Sequence, residues 1–395
     1  MKIIIGTESF APTVSGVAIF ADRLASFLQS GGHEVYVFAP STNRQTYWDK
    51  TKDGVPVLRL KSITDPFRHN HRVTLLPLGR VRSEVEKIKP DIIHLQDPTS
   101  ISAALLKIAN QKKIPVVITN HFSIDFIKSY LKMFSFLEPL VIKILTRRFV
   151  GFYNRCRIVT TPSGTARDKI KRWGFRTPIR VLSNGVDTVR FHPPKSIEEV
   201  RKKFDLPQKP IIIYSGRIDA DKSVDVLVRA IPLVLKEADA HFLFVGSGEK
   251  LEAMKALALD LRVSRAATFW GWVNYNSPEF PLGYQTGAIF ASPSTIETQS
   301  IVMLEAMATG LPIVAAAAGS FPEFVKDGEN GYLFPPGNSA KMADYIIKIV
   351  KDDHLQQKLS RGALAVAAEH KIDLCLGRFE DLYKEVLASE KESNN

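Results

Sequence analysis

Short unbroken apolar runs alternate along this chain with longer stretches whose apolar positions recur every three or four residues. Runs of the first kind suit buried strands, and stretches of the second suit helices with one covered face. Lys2 to Gly6 (KIIIG) is the first run. After the loop TESFAPTVSGV, helical spacing runs from about Ala18 to Ser30 and stops at Gly31-Gly32, and Glu34 to Ala39 is a second strand. The rhythm continues with strands at Val57 to Leu60, Pro90 to His94, Pro115 to Thr119, Ile158 to Pro162 and Ile179 to Leu182. Helices at Val81 to Ile88 and Ser100 to Asn110 fall between them, and Ser163 is the N-cap of another. Such alternation predicts a doubly wound parallel sheet.

A second sheet begins after a turn-rich stretch, SNGVDTVRFHPP, which places a hinge at about residues 183–195. Pro210 to Gly216, His241 to Val245, Ala267 to Trp270 and Ala288 to Ala291 are strand-like runs, with a helix from Ser223 to Lys236. Ser292-Pro293-Ser294 stops the last run, and Ile301 to Ala308 is a helix with Ser300 or Gln299 as N-cap, Gly310 just past its end and Pro312 beyond. Two Rossmann-like domains follow, residues 1–185 and 186–371. A final helix, about 372–390, is long enough to return to the first.

Composition changes the picture mainly through charge. At 395 residues and 45% hydrophobic content the chain can bury two large cores. Two cysteines, Cys156 and Cys375, lack any disulfide or metal pattern, so a reducing compartment is expected. The amino terminus has no signal-peptide pattern and no apolar run reaches membrane-spanning length, which points to the cytoplasm. The net charge of +12 is lopsided: residues 1–185 hold 29 Lys and Arg against 13 Asp and Glu, and the remainder is net negative. An anionic partner of the first half, nucleic acid or a membrane surface, is implied. Phe126 to Arg157 concentrates Phe, Leu, Ile, Lys and Arg, including Lys128, Lys132, Arg147 and Arg148, with Glu138 its only acid. That stretch suits an interfacial helix or a pair of helices covering the sheet with snorkelling cations, and both readings stay open.

Candidate chemistry clusters where strands end. Gly16 precedes the first helix and lets backbone approach a phosphate, although one glycine is also ordinary turn chemistry. His94, Gln96 and Asp97 end one strand and Asn120-His121 another; each histidine is either functional or satisfied locally. Arg217 and Lys222 lie in one strand-to-helix loop, where two cations can grip a pyrophosphate. Gly246-Ser247-Gly248 is a second glycine-rich turn. Glu297 and Glu305 stand seven residues apart, one in a loop and one inside a helix. The amides near Gln299, Ser300 and Ile301 suit a phosphate at the helix start. Glu297 could hold a sugar and Glu305 a ribose, or they are a dipole-favoured carboxylate and a solvated helix residue.

These residues together resemble retaining glycosyltransferases of family 4. The similar segments are SGV at Ser15 to Val17, His94 and His121, SNGVD, GRIDADKS from Gly216, VGSG from Val245, ETQSIVMLEAMATGLPIVA, and GSFPEFVKDGENGYLFPPG. The resemblance implies a GT-B fold, two Rossmann-like domains facing across a cleft. It implies a nucleotide diphosphate sugar as donor, UDP- or GDP-linked, no tightly bound cofactor, no protein-bound metal, and at most stimulation by Mg2+. Arg217 and Lys222 would contact the diphosphate, Glu305 the ribose, and Glu297 with the backbone after it the transferred sugar. Gly16 would close over the phosphates, His121 would face the reacting sugar, and front-face attack would retain configuration. Ser300 stands where the family often has Gly, and Gln96 where it often has a second His. The ETQ variant resembles members that glycosylate membrane lipids such as diacylglycerol, which agrees with the basic first half and implies a peripheral enzyme at the cytoplasmic membrane face. A soluble acceptor and a GT-B nucleotide-sugar epimerase are the alternatives; a nucleic-acid partner is set aside for want of a recognised motif.

Overall fold

The computed structural model describes residues 1–13, 15–65, 68–75, 77–121 and 138–394. They gather into two compact units, Met1–Asn184 with Asp373–Asn395, and Gly185–Ile372.

In the first unit the strands are β1 (Lys2–Gly6), β2 (Glu34–Pro40), β3 (Tyr47–Lys50), β4 (Pro56–Leu60), β5 (Ser62–Asp65), β6 (Arg68–Thr74), β7 (Ile92–Leu95), β8 (Val116–Thr119), β9 (Ile158–Thr161) and β10 (Ile179–Val181). Eight of them form one sheet in the order β10-β9-β8-β7-β1-β2-β4-β3, and β5 and β6 form a separate hairpin. Every pair in the large sheet is parallel except β3 on β4. That edge strand departs from the all-parallel expectation for a plain reason. Its sequence, YWDK, lies on the rim with little burial and so carries no apolar run.

Helices α1 (Gly16–Ser30), α2 (Leu78–Ile88), α3 (Ser100–Lys112), α4 (Glu138–Tyr153) and α5 (Gly164–Lys171) belong to this unit. The Ser15 hydroxyl caps α1 by accepting from the Ala18 amide, and Ala18, Ala21, Leu24, Ala25 and Leu28 form its buried stripe. Residues 126–137 of the basic stretch lie outside the described residues, Lys128 and Lys132 among them; of the rest the structure describes α4 and the turn of residues 154–157 that follows it.

The second unit has α6 (Ile197–Lys203), β11 (Ile211–Ser215), α7 (Val224–Leu235), β12 (His241–Val245), α8 (Leu251–Asp260), β13 (Ala267–Gly271), α9 (Glu279–Gln285), β14 (Ile289–Ser292), α10 (Ile301–Ala308), β15 (Ile313–Ala316), α11 (Phe321–Phe324), β16 (Gly331–Phe334), α12 (Ser339–Val350) and α13 (Asp353–Glu369). Its six strands are all parallel, in the order β13-β12-β11-β14-β15-β16. Gly310, past the end of α10, has φ +81, which is why a glycine stands there.

The last helix, α14 (Ile372–Asn394), packs on the first unit. Phe379 and Tyr383 are its fully buried anchors, each worth about 1.5–3 kcal/mol of burial. Phe379 stacks on His94, and the Tyr383 hydroxyl lies 2.5 Å from His94 Nδ1.

Candidate active site

The strand order of the second unit fixes where ligands can enter. From β11 the chain fills one side of the sheet with β12 and β13, then returns to place β14 on the other side. The switch point is therefore β11/β14, and open parallel sheets bind ligands beyond the carboxyl ends of such a pair. Two loops meet there, residues 216–223 and residues 293–300. Lys222 Nζ from the first lies 2.7 Å from Glu297 Oε1 of the second, and both side chains are about five-sixths buried. Arg217 turns its guanidinium to Asp219 and to Asp221, the latter at 3.0 Å. Lys222 is also 3.7 Å from Asp221. Three residues singled out by sequence are thus brought together, with each cation already facing carboxylates of the protein.

Glycines set this crowding. Gly246 has φ +143, and a Cβ there would lie 1.9 Å from the Gly216 carbonyl oxygen, so the residue is required by loop-on-loop packing, whatever else approaches it. A Cβ on Gly319 would lie 2.9 Å from the Glu297 amide nitrogen, which seats the turn before α11 against the Glu297 backbone. Gln299 and Ser300 are buried, and Ser300 occupies the N-cap of α10 without making a capping bond. Ile301 opens the helix.

Glu305 corrects one of the open readings: it is fully buried, not a solvated helix residue. Its Oε1 accepts from the Tyr275 hydroxyl at 2.8 Å and its Oε2 from the Tyr284 hydroxyl at 2.9 Å. Burial first, then the neighbouring Glu305 charge, pushes the Tyr284 hydroxyl well above its ordinary pKa, so it stays a donor. Neither tyrosine was singled out by sequence. The one available signal was an acid inside the apolar helix IVMLEAMA, which must find donors when buried.

In the first unit the switch point is β1/β7. Gly16 is exposed at the first turn of α1, and Phe20 from that helix packs its ring 5.2 Å from the ring of His121 at the end of β8. His121 Nε2 lies 3.0 Å from Gln96 Oε1. His94 is fully buried between Tyr383 and Thr119, the latter 2.7 Å from Nε2. That is the local-satisfaction reading, so His94 is framework. Burial holds both imidazoles neutral, with pKa lowered to about 3. Two acids complete the rim. Asp97 accepts from the Glu8 amide at 2.8 Å and the Thr7 hydroxyl at 3.1 Å, and Glu8 accepts from the Thr74 hydroxyl at 3.0 Å. Burial raises the pKa of both. Glu8 carried no sequence signal, because its partners come from loops far apart in the chain.

Two Rossmann-like units of this topology are the GT-B fold. The family models named Glycosyltransferase Family 4 and Glycosyl transferases group 1 match residues 14–190 and 196–365, and the chain belongs to glycosyltransferase family 4. It is 25% identical to the alpha-monoglucosyldiacylglycerol synthase of Acholeplasma laidlawii over the whole of both chains. It is 27% identical to the GDP-mannose-dependent alpha-mannosyltransferase of Corynebacterium glutamicum over 84% of this chain and 76% of that one. Sucrose-phosphate synthase from Thermosynechococcus elongatus shares the fold with a TM-score of 0.81 at 19% identity, over 98% of this chain and 100% of that one. The chain is accordingly a hexosyltransferase of the family 4 type.

Proposed function

We propose that this enzyme transfers a hexose, with retention, from a nucleotide diphosphate sugar to a membrane lipid such as diacylglycerol. The observation that carries the donor half is the meeting of Lys222 and Glu297 at a switch point, beside Arg217 and the start of α10. Negative charge develops on the leaving diphosphate, and fixed cations with helix amides stabilise it best in a water-poor site. In this reading Lys222 and Arg217 exchange their carboxylate partners for phosphate oxygens. Glu297, released from Lys222, accepts from sugar hydroxyls, and the Gln299 to Ile301 amides meet the phosphate. Glu305 takes the ribose, Gly16 lets the backbone near it approach the phosphates, and His121 serves the reacting sugar as a neutral hydrogen-bond partner.

The acceptor half rests on α4. Leu140 and Ile144 are 57% and 46% exposed one turn apart, with Lys143, Arg147 and Arg148 exposed among them. Apolar and cationic groups on one exposed face suit an anionic lipid surface. The names of the two relatives pair a lipid product with one and GDP-mannose with the other, so the base is left to experiment. No helix among the described residues is long and apolar enough to cross a membrane. Labelled UDP-, GDP- and ADP-sugars offered with diacylglycerol vesicles or with soluble sugars test the proposal. Glycolipid formed from one donor is the expected result. Product on soluble sugars alone would move the acceptor, and donor conversion without any glycoside would favour an epimerase.

A further inference from the structure

The Glu305 carboxylate is fully buried, yet the proposed function needs one of its oxygens to receive a ribose hydroxyl. Two protein hydroxyls hold those oxygens, and they are not equivalent. Tyr284 lies in α9, 1% exposed, wedged among Phe191, Phe280 and Phe290 with ring centroids 5.5, 5.8 and 6.3 Å away. Tyr275 lies outside any helix or strand, in the segment between β13 and α9, and is 8% exposed. That segment begins after Gly271, whose φ of +74 gives the chain a left-handed turn there. The Tyr275 ring shares Phe280 and Phe191 with Tyr284, at 5.0 and 6.5 Å, and on its other side the Arg190 guanidinium lies 4.6 Å over the ring and donates to the Tyr275 carbonyl.

We propose that Tyr275 and Tyr284 are positioning residues for the nucleotide ribose: Tyr284 orients Glu305, and the Tyr275 hydroxyl occupies Oε1 in the empty protein until a ribose hydroxyl replaces it. This rests on the reading of Glu305 as the ribose acceptor. The exchange leaves the number of hydrogen bonds to Glu305 unchanged, so the carboxylate is never left buried and unpartnered, a state that is costly. It also makes the site selective, because a nucleotide lacking the hydroxyl would leave Tyr275 on Oε1 and gain no bond to the carboxylate.

The test compares UDP and GDP with their 2′-deoxy and 3′-deoxy forms by calorimetric titration. In the wild type, the ribonucleotide that binds should do so about tenfold more tightly than at least one deoxy form, the scale of one hydrogen bond to a charged group. Tyr284→Phe should shrink that ratio. Tyr275→Phe should enlarge it severalfold, since the ribose hydroxyl then displaces no tyrosine. A ratio near one in the wild type would overturn the ribose reading of Glu305 itself. A wild-type ratio that Tyr275→Phe leaves unchanged or shrinks would overturn the exchange alone. The wild-type protein gives a second readout that needs no folded variant: Trp272, three residues from Tyr275 and 63% exposed, should change emission with the ribonucleotide and not with the discriminated deoxy form, and Trp272→Phe should abolish the change. Identical emission changes for both nucleotides would count against the exchange.

Discussion

The carboxyl ends of the two sheets are built from the same topology and opposite chemistry. In the second unit the switch point is charged: Lys222 meets Glu297, Arg217 meets Asp219 and Asp221, and a buried carboxylate waits behind two tyrosines. In the first unit the corresponding rim is neutral or hydroxyl-bound. Two histidines are held uncharged by burial, and Asp97 and Glu8 accept from hydroxyls and backbone amides. The fold therefore supplies a place, and side chains decide what each place can do. Fixed cations facing carboxylates stand in one unit, and a rim with an uncharged imidazole in the other.

The largest expected effect breaks the charged end. Lys222→Ala should lose about 2–4 kcal/mol of transition-state stabilisation, the scale of one well-placed electrostatic donor, read as a fall in kcat/KM. Arg217→Ala should act in the same direction. Turnover within about threefold of wild type would remove these cations from the diphosphate site.

The two carboxylates should then separate by role. Glu305→Ala should weaken free nucleoside diphosphate by roughly 1.5–3 kcal/mol, as expected for a lost hydrogen bond to a charged group. Glu297→Gln releases Lys222 from a facing carboxylate, so nucleotide affinity should not fall while sugar transfer does. Calorimetry with nucleotide alone and a transfer assay in parallel decide between this and an equal loss in both variants.

Sequence made the second unit's site more legible than the first's, and the reason is locality. Arg217 and Lys222 share one loop, and Glu297, Gln299 and Ser300 share another, so spacing along the chain predicts proximity once the strand ends are known. Glu8 meets Thr74 and Ser100, and His94 meets Tyr383, across separations that no local pattern encodes. The tyrosines on Glu305 were hidden for the same reason. The strands that escaped notice are β3, β5, β6 and β16: the first three carry no apolar run and lie at an edge or in a separate hairpin, while β16, GYLF, is a four-residue strand at the edge of the second sheet, too short to stand out from the turn residues around it.

The neutral end gives a pH signature. Both histidines have pKa lowered to about 3 from an unfolded value of about 6.5, so above pH 6.5 they add no pH dependence. Below it the unfolded chain binds protons that the native state refuses, and stability falls by up to about 1.4 kcal/mol per pH unit for each. Glu8 and Asp97, raised by burial, act in the opposite sense, and His241 in the second unit is lowered by its own burial and by Lys209. The contribution of one group is best read as a difference: thermal unfolding of His121→Asn between pH 7 and 5 should show a shallower loss than wild type. Equal slopes would mean that His121 titrates normally.

The smallest effect per residue concerns the surface of the first unit, and it tests whether the contrast extends outward. Each Lys or Arg near an anionic membrane contributes about 1 kcal/mol, within a Debye length of about 8 Å at physiological salt. On α4 the exposed Lys143, Arg147 and Arg148 flank the exposed Leu140 and Ile144. Three such charges with two inserted aliphatic chains give binding that is reversible and salt-sensitive, not anchoring. Co-sedimentation with vesicles should therefore rise with the anionic lipid fraction, fall with added salt, and drop when the three cations become Glu. Leu140→Ser with Ile144→Ser should lower binding without changing its salt dependence, because the aliphatic contribution is not screened. Sedimentation indifferent to anionic lipid and to all five substitutions would make α4 a plain cover for the sheet, and would leave the basic first half without a membrane partner.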